Sequence, residues 1–180
     1  MVEELETDVD ERQEVVLYQA VPKGRHMDLV VEKATEVGVS TIVPLATEHG
    51  VVKLDGGGEK VERWRRVCTS AARQSLRLRV PEVGGPVTFS EAAENVGERG
   101  VLLHNETGLP RLEDVLPQTP TVALFVGPEG GWSADELELA RRAGMRLAQL
   151  GPYRLRSETA GIVAVARARA ALEFGMRKGA

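Results

Sequence analysis

Arg154, Arg156 and Glu158 fall within five residues of one another, in a segment that begins Leu150-Gly151-Pro152 and leads into an alanine-rich stretch. A guanidinium in such a place can hold a carboxylate, a phosphate or a nucleotide base. The alternative is that Arg156 and Glu158 pair with each other or cap the helix that follows. A second segment, Gly127-Pro128-Glu129-Gly130-Gly131-Trp132-Ser133, has glycines where a missing Cβ lets a ligand approach the main chain. Free amides of the next helix would point outward there. An ordinary strand-to-helix turn is the other reading of that string.

The elements that must position these groups can be read from hydrophobic period. Residues 121–126 form an apolar run that feeds the first loop, and residues 148–150 feed the second. Both loops therefore sit at carboxyl ends of strands, where open α/β sheets take their ligands. Ser133-Ala134-Asp135-Glu136 fits a capping box and fixes where the first loop ends. Upstream the pattern predicts a strand at 14–21, a helix at 27–37 closed by Gly38, a strand at 41–45, a flexible triple-glycine turn at 56–58 and a long helix at 59–77. A short strand at 80–83, a helix at 90–96 and a strand at 101–104 follow. Residues 107–120, with three prolines, read as loop with at most a short helix, and the last helix spans 158–174. Strict alternation predicts an α/β fold, a parallel sheet with helices on both faces.

Composition narrows the function classes. A chain of 180 residues with 42% hydrophobic content can bury one good core and is read as one domain. No apolar run approaches the roughly 18 residues of a membrane span, and the N-terminus does not read as an export signal, so a soluble cytoplasmic protein is expected. The single cysteine, Cys68, excludes an intrachain disulfide and reads as a small buried side chain. His26, His49 and His104 are too scattered to argue for a metal, although His104 ends a strand on the rim shared by the two loops. No phosphate loop, dinucleotide fingerprint or zinc motif is found in the sequence.

The net charge of −4 conceals an asymmetry. Residues 1 to 14 hold seven acids against Arg12, a net of −6, which leaves +2 on residues 15 to 180. That acidic leader is expected to be disordered. On the long helix, Arg63, Arg66, Arg73 and Arg77 gather in a narrow arc away from the apolar side formed by Trp64, Val67, Cys68, Ala71 and Ala72. Clustered arginines are the footprint of a phosphate backbone, and a solvated face diluted by Glu59 and Glu62 accounts for them as well.

Four ordered motifs carry a resemblance. GPEGGWSADE at 127–136, LGPYRLRSETA at 150–160, AARQSLRLRVPEV at 71–83 and DLVVEKATEVGVSTIVPL at 28–45 together resemble the RsmE family of 16S ribosomal RNA uridine-N3 methyltransferases, over about residues 15–174. The resemblance implies a SPOUT-type domain over residues 15–175, followed by a short tail at 176–180, with a deep trefoil knot near its C-terminus. It implies S-adenosylmethionine as cofactor, a homodimer, and ribosomal RNA or the small ribosomal subunit as partner. The cofactor pocket would be formed by Leu103 and His104, by Val126, Gly127, Pro128, Glu129, Gly130 and Gly131, and by Leu150, Gly151, Leu155 and Arg156.

Under the same resemblance Arg156 is expected to stabilise the developing uridine anion, with Glu129 or Glu158 accepting the proton or orienting that arginine. Arg63, Arg66, Arg73, Arg77 and Arg154 are the expected RNA contacts. The family carries an N-terminal barrel of the PUA type, and only the acidic leader precedes the first strand here. Cofactor binding is therefore expected to survive and RNA binding to be weak and salt-sensitive. Two other readings are a related knotted enzyme acting on a ribose 2′-oxygen or another base, and a non-catalytic RNA-binding or assembly module.

Overall fold

A computed structural model describes residues 13–50 and 57–177. The last leader residue, Glu14, opens the first strand, whereas residues 1–12 of the acidic leader, the first glycine of the triple-glycine turn and the end of the tail lie outside the described residues. Among them the sheet has seven strands: β1 (Glu14–Ala20), β2 (Thr41–Ala46), β3 (Glu82–Val83), β4 (Val87–Thr88), β5 (Gly100–Leu103), β6 (Thr121–Val126) and β7 (Arg146–Ala148). Every pairing is parallel, and the order is β3-β2-β1-β6-β5-β7, with β4 also on β2. The helices are α1 (His26–Glu36), α2 (Gly57–Gln74), α3 (Phe89–Val96), α4 (Leu112–Val115), α5 (Ala134–Arg142) and α6 (Ser157–Arg177).

Strand period distributes the core between two faces. In β1, Val15 and Leu17 pack with Val30, Val31, Trp64, Cys68, Ala164 and Ala168 from α1, α2 and α6. On the opposite face Phe125 packs with Ala93 of α3, Ala140 of α5 and Trp132. Tyr18 stacks on the Phe125 ring at 4.5 Å, and Phe89 meets Phe125 edge-on at 5.9 Å and Trp132 at 5.1 Å. Helices thus cover both faces, as alternation predicts. Cys68 is fully buried, accepts from the Thr35 hydroxyl, and has its thiol pushed up by burial, which matches its reading as a core side chain.

Most boundaries shift by a residue or so, and His104 stands just past the end of β5 at Leu103, its N–H bonded to Ala148 O at 2.9 Å, while three differences have a clear local reason. The long helix stops at Gln74 because Leu76 turns the backbone left-handed at φ 57°, and Arg77 N–H bonds back to Ala72 O at 2.9 Å in a closure usually made by glycine. The strand along the outer edge of β2 is split into β3 and β4, with Gly84-Gly85-Pro86 between them. The last strand ends at Ala148, because Gln149 leaves the sheet to bridge Arg111, and its N–H binds Pro110 O at 2.9 Å.

Candidate methyl-donor pocket

Because all strands run parallel, the ends of β1, β5, β6 and β7 share one edge of the sheet. The first loop leaves β6 at Val126 and is fixed by three devices. Gly131 N–H closes a tight turn onto Pro128 O at 2.9 Å, with Gly131 at φ 76°, a conformation that favours glycine. Trp132 lays its indole against Gly127, where an added Cβ would meet Cε2 at 3.0 Å, and its Nε1 donates to Leu103 O at 2.9 Å. The capping box forms as expected: Ser133 Oγ accepts from Glu136 N–H at 3.2 Å, and the Glu136 carboxylate accepts from Ser133 N–H at 2.9 Å. The second oxygen of Glu136 accepts from Glu48 N–H at 2.9 Å, so this buried carboxylate is fully engaged.

The second loop is braced from α6 and α4. Arg167 donates to Leu150 O and grips both carboxylate oxygens of Glu113. The Arg167 hydrogen bonds hold the Glu113 carboxyl below its ordinary value of 4.5. A depressed folded-state value contributes stability above the ordinary value and loses it as pH falls through the folded one. Glu113→Gln is therefore expected to lower Tm at neutral pH, with the difference from wild type closing as pH falls through the depressed folded-state value. Melting curves across that range check it. At the far end of the loop Ser157 Oγ donates to Gly127 O at 2.7 Å, and Arg154 donates to Glu129 O at 3.1 Å. These bonds tie the two loops together.

Between them lies a cavity of about 370 Å³, within the usual range for small-molecule sites. Leu103, Val126, Trp132, Leu150, Leu155 and Ala160 supply an apolar wall, and His104, Asn105, Glu129, Tyr153, Arg154 and Arg156 supply polar and charged groups. Lys23 N–H donates to Glu129 Oε1 at 3.3 Å, on the exposed side of the mouth. An apolar wall beside polar and charged groups suits a flat heteroaromatic base with a polar tail, as in an adenosyl compound.

Most of the expected cofactor residues meet here. Leu103, His104, Val126, Gly127, Pro128, Glu129, Gly131, Leu150, Leu155 and Arg156 all line the cavity. Gly130 and Gly151 do not: Gly130 backs onto His49, where a Cβ would lie 3.0 Å from the His49 Cβ, and Gly151 turns the loop at φ 140°. Of the three residues expected to take part in the chemistry, Arg156 and Glu129 line the cavity. Glu158 is turned away from the lining, 7% exposed, with its carboxylate 3.7 Å from His26 Nδ1. Sequence reasoning missed Trp132, Tyr153, Ser157 and Ala160 as lining residues, although all four stand inside the quoted motifs.

The basic arc of α2 is divided by its partners. Arg63 pairs with Asp28 of α1, and Arg77 donates to Thr35 O at 2.9 Å and Val39 O at 2.7 Å. Arg63 thus fastens α2 to α1, whereas Arg77 lies beyond the last residue of α2, Gln74, and so is not on the helix arc where it was expected. Arg66 and Arg73 instead share an open groove with Arg65, Thr69, Ser70 and Gln74. Among the described residues no group of three His, Cys, Asp or Glu side chains gathers as a metal site, and no helix is long and apolar enough to cross a membrane.

Residues 9–169 match the RNA methyltransferase domain family. The chain is 37% identical over 161 residues to ribosomal RNA small subunit methyltransferase E of Aquifex aeolicus, covering 89% of this chain and 69% of that protein. It is 38% identical over 165 residues to the same-named protein of Synechocystis, covering 88% of this chain and 54% of the relative. A methyltransferase of Legionella pneumophila solved with S-adenosylmethionine bound superposes with a TM-score of 0.85 at 35% identity, covering 93% of this chain and 70% of that one. The chain belongs to the ribosomal RNA small subunit methyltransferase E family, and it spans between about half and two thirds of the length of these relatives.

Proposed function

We propose that this chain binds S-adenosylmethionine between the two loops and methylates N3 of a uridine in small-subunit ribosomal RNA. The observation that carries the reading is the convergence of Arg156 and Glu129 on one apolar-walled cavity at the sheet edge. S-adenosylmethionine, when bound, supplies a methyl carbon on a sulfonium that leaves as a neutral thioether. Uridine N3 is protonated at neutral pH and must shed its proton as it bonds to carbon. Glu129, at the exposed mouth, takes up that proton, and Arg156 offsets the negative charge spread onto the uracil oxygens. The apolar wall holds the donor in one orientation, so alignment of nucleophile and methyl carbon supplies much of the acceleration.

The trefoil knot is proposed on the family resemblance; the bonds of Arg154 to Glu129 O and of Ser157 to Gly127 O hold the two loops side by side, as such a knot also requires. The homodimer and a cytoplasmic site of action are proposed on the family resemblance, and light scattering of the purified chain tests the dimer. The RNA footprint is proposed for Arg66, Arg73 and Arg154, the first two because they face a groove and not a neighbouring helix. Substituting Arg66 and Arg73 together by alanine is expected to reduce the slope of log K against log salt by about 1.5. Binding isotherms of ribosomal RNA across a salt series read this, and an unchanged slope counts against the footprint.

The activity itself is tested by incubating the protein with labelled S-adenosylmethionine and small ribosomal subunits, then digesting the RNA to nucleosides. Label in 3-methyluridine is expected. Label in a 2′-O-methyl nucleoside or another base contradicts the acceptor, and no transfer by a donor-binding protein favours the non-catalytic module.

A further inference from the structure

Gln19 stands at the end of β1 with no exposure to solvent. It shares the strand face of Val15 and Leu17, so its side chain enters the layer beneath α6. A neutral amide in such a place is unfavourable unless both of its ends find partners. Its Nε2 end does: it donates to Ala20 O at 3.0 Å and to Ser157 Oγ at 2.9 Å. Ser157 Oγ in turn lies 2.7 Å from Gly127 O. A hydroxyl carries one proton, and with Oγ accepting from Gln19 that proton is committed to the Gly127 carbonyl. The bonds run in one direction, from Gln19 through Ser157 to Gly127.

The other end of the amide is anomalous. Oε1 has no hydrogen-bond donor among the described residues. It presses on the backbone of α6, where a Cβ at Gly161 would lie 2.2 Å from Oε1 and 3.3 Å from Cδ. Only glycine at 161 leaves room for it. Turning the amide over would not help, since Oε1 would then face the Ala20 carbonyl and Gly127 would lose its donor. A leucine of similar size would remove the unpartnered acceptor altogether. What the amide contributes lies at its Nε2 end.

We infer that Gln19 is a positioning residue for the pocket: through Ser157 it holds the Gly127 peptide, and so the first loop, in the arrangement that receives the methyl donor. Gly127 and Ser157 both line the cavity, whereas Gln19 does not touch it. The inference rests on the reading of this cavity as the donor site. It separates two quantities that a merely structural role would move together, because losing the amide relieves a buried acceptor while loosening the loop.

The test is calorimetric titration of S-adenosylmethionine, with thermal melting in parallel, on wild type, Gln19→Leu, Ser157→Ala and the double variant. Gln19→Leu is expected to melt at or above the wild-type temperature while its Kd rises about tenfold, the loss of roughly one hydrogen bond. Ser157→Ala should give a similar rise, and the double variant little more, since both break one relay. Folded variants that bind as wild type does overturn the inference alone. If Gln19→Leu fails to fold, Ser157→Ala decides by the same criterion. Wild-type protein that takes up no S-adenosylmethionine overturns the donor-site reading, and this inference with it.

Discussion

Replacing Arg156 by alanine is expected to lower kcat for methyl transfer about 10²- to 10³-fold, the usual loss when one group that stabilises developing negative charge is removed. Arg156 is exposed at the mouth and lines the cavity, so it can reach an acceptor base from the solvent side. Its main chain is held independently, with Arg156 O accepting from Ala160 N–H at 2.8 Å at the start of α6. Truncating the side chain should therefore leave the loop in place and change the donor Kd only a few-fold. Single-turnover rates at saturating donor and RNA check this. A variant with normal kcat and a raised Kd would reassign Arg156 from charge stabilisation to donor binding. Glu129→Gln serves as companion: a proton acceptor gives a rate that no longer rises with pH, whereas an orienting group leaves the pH profile intact.

Trp132→Ala is the substitution with the largest expected effect on stability. The indole is 7% exposed, packs on Phe89 and Gly127, and donates to Leu103 O. Emptying such a site costs about 3–5 kcal/mol, which corresponds to a fall in Tm of roughly 6–20 °C for a domain of this size. Trp132→Phe keeps much of the volume and removes the hydrogen bond, so it should cost about 1–3 kcal/mol. Because that bond joins the first loop to β5, donor binding should weaken in the phenylalanine variant beyond what the fall in Tm explains. Thermal melts beside donor titrations separate the two contributions. A Trp132→Ala protein that melts within a degree or two of wild type would show that the indole does not hold the loop.

Much of this arrangement is legible in the amino-acid sequence. Alternating apolar runs specify the parallel sheet, and the glycine strings after residues 126 and 150 mark the two loops at its edge. The capping box from Ser133 to Glu136 locates the start of α5 to the residue, because its hydrogen bonds depend on local spacing alone. What sequence could not carry is whatever depends on a distant partner. Helical spacing puts Arg63 and Arg77 on the arc of Arg66 and Arg73, yet Asp28 draws Arg63 to α1, and Arg77 falls past the end of α2 at Gln74, where it donates to the carbonyls of Thr35 and Val39. Glu158 lies two residues from Arg156, and the first turn of α6 carries it toward His26 instead of the cavity.

The same limit applies inside the motifs. Leu150 reads as strand because it is apolar, but it faces the cavity after the chain has left the sheet at Ala148. Alternation places Gln19 on the inner face of β1 without saying why an amide should stand there. Only its bond to Ser157 and the bare backbone at Gly161 give it a role.

Calorimetric titration of the purified chain with S-adenosylmethionine, with ATP and NAD as controls, tests the account most directly. One donor site per chain, with no heat from either control, is the predicted result. A folded chain that gives no heat with the donor, or that binds ATP or NAD equally well, would contradict the assignment of the cavity between the two loops.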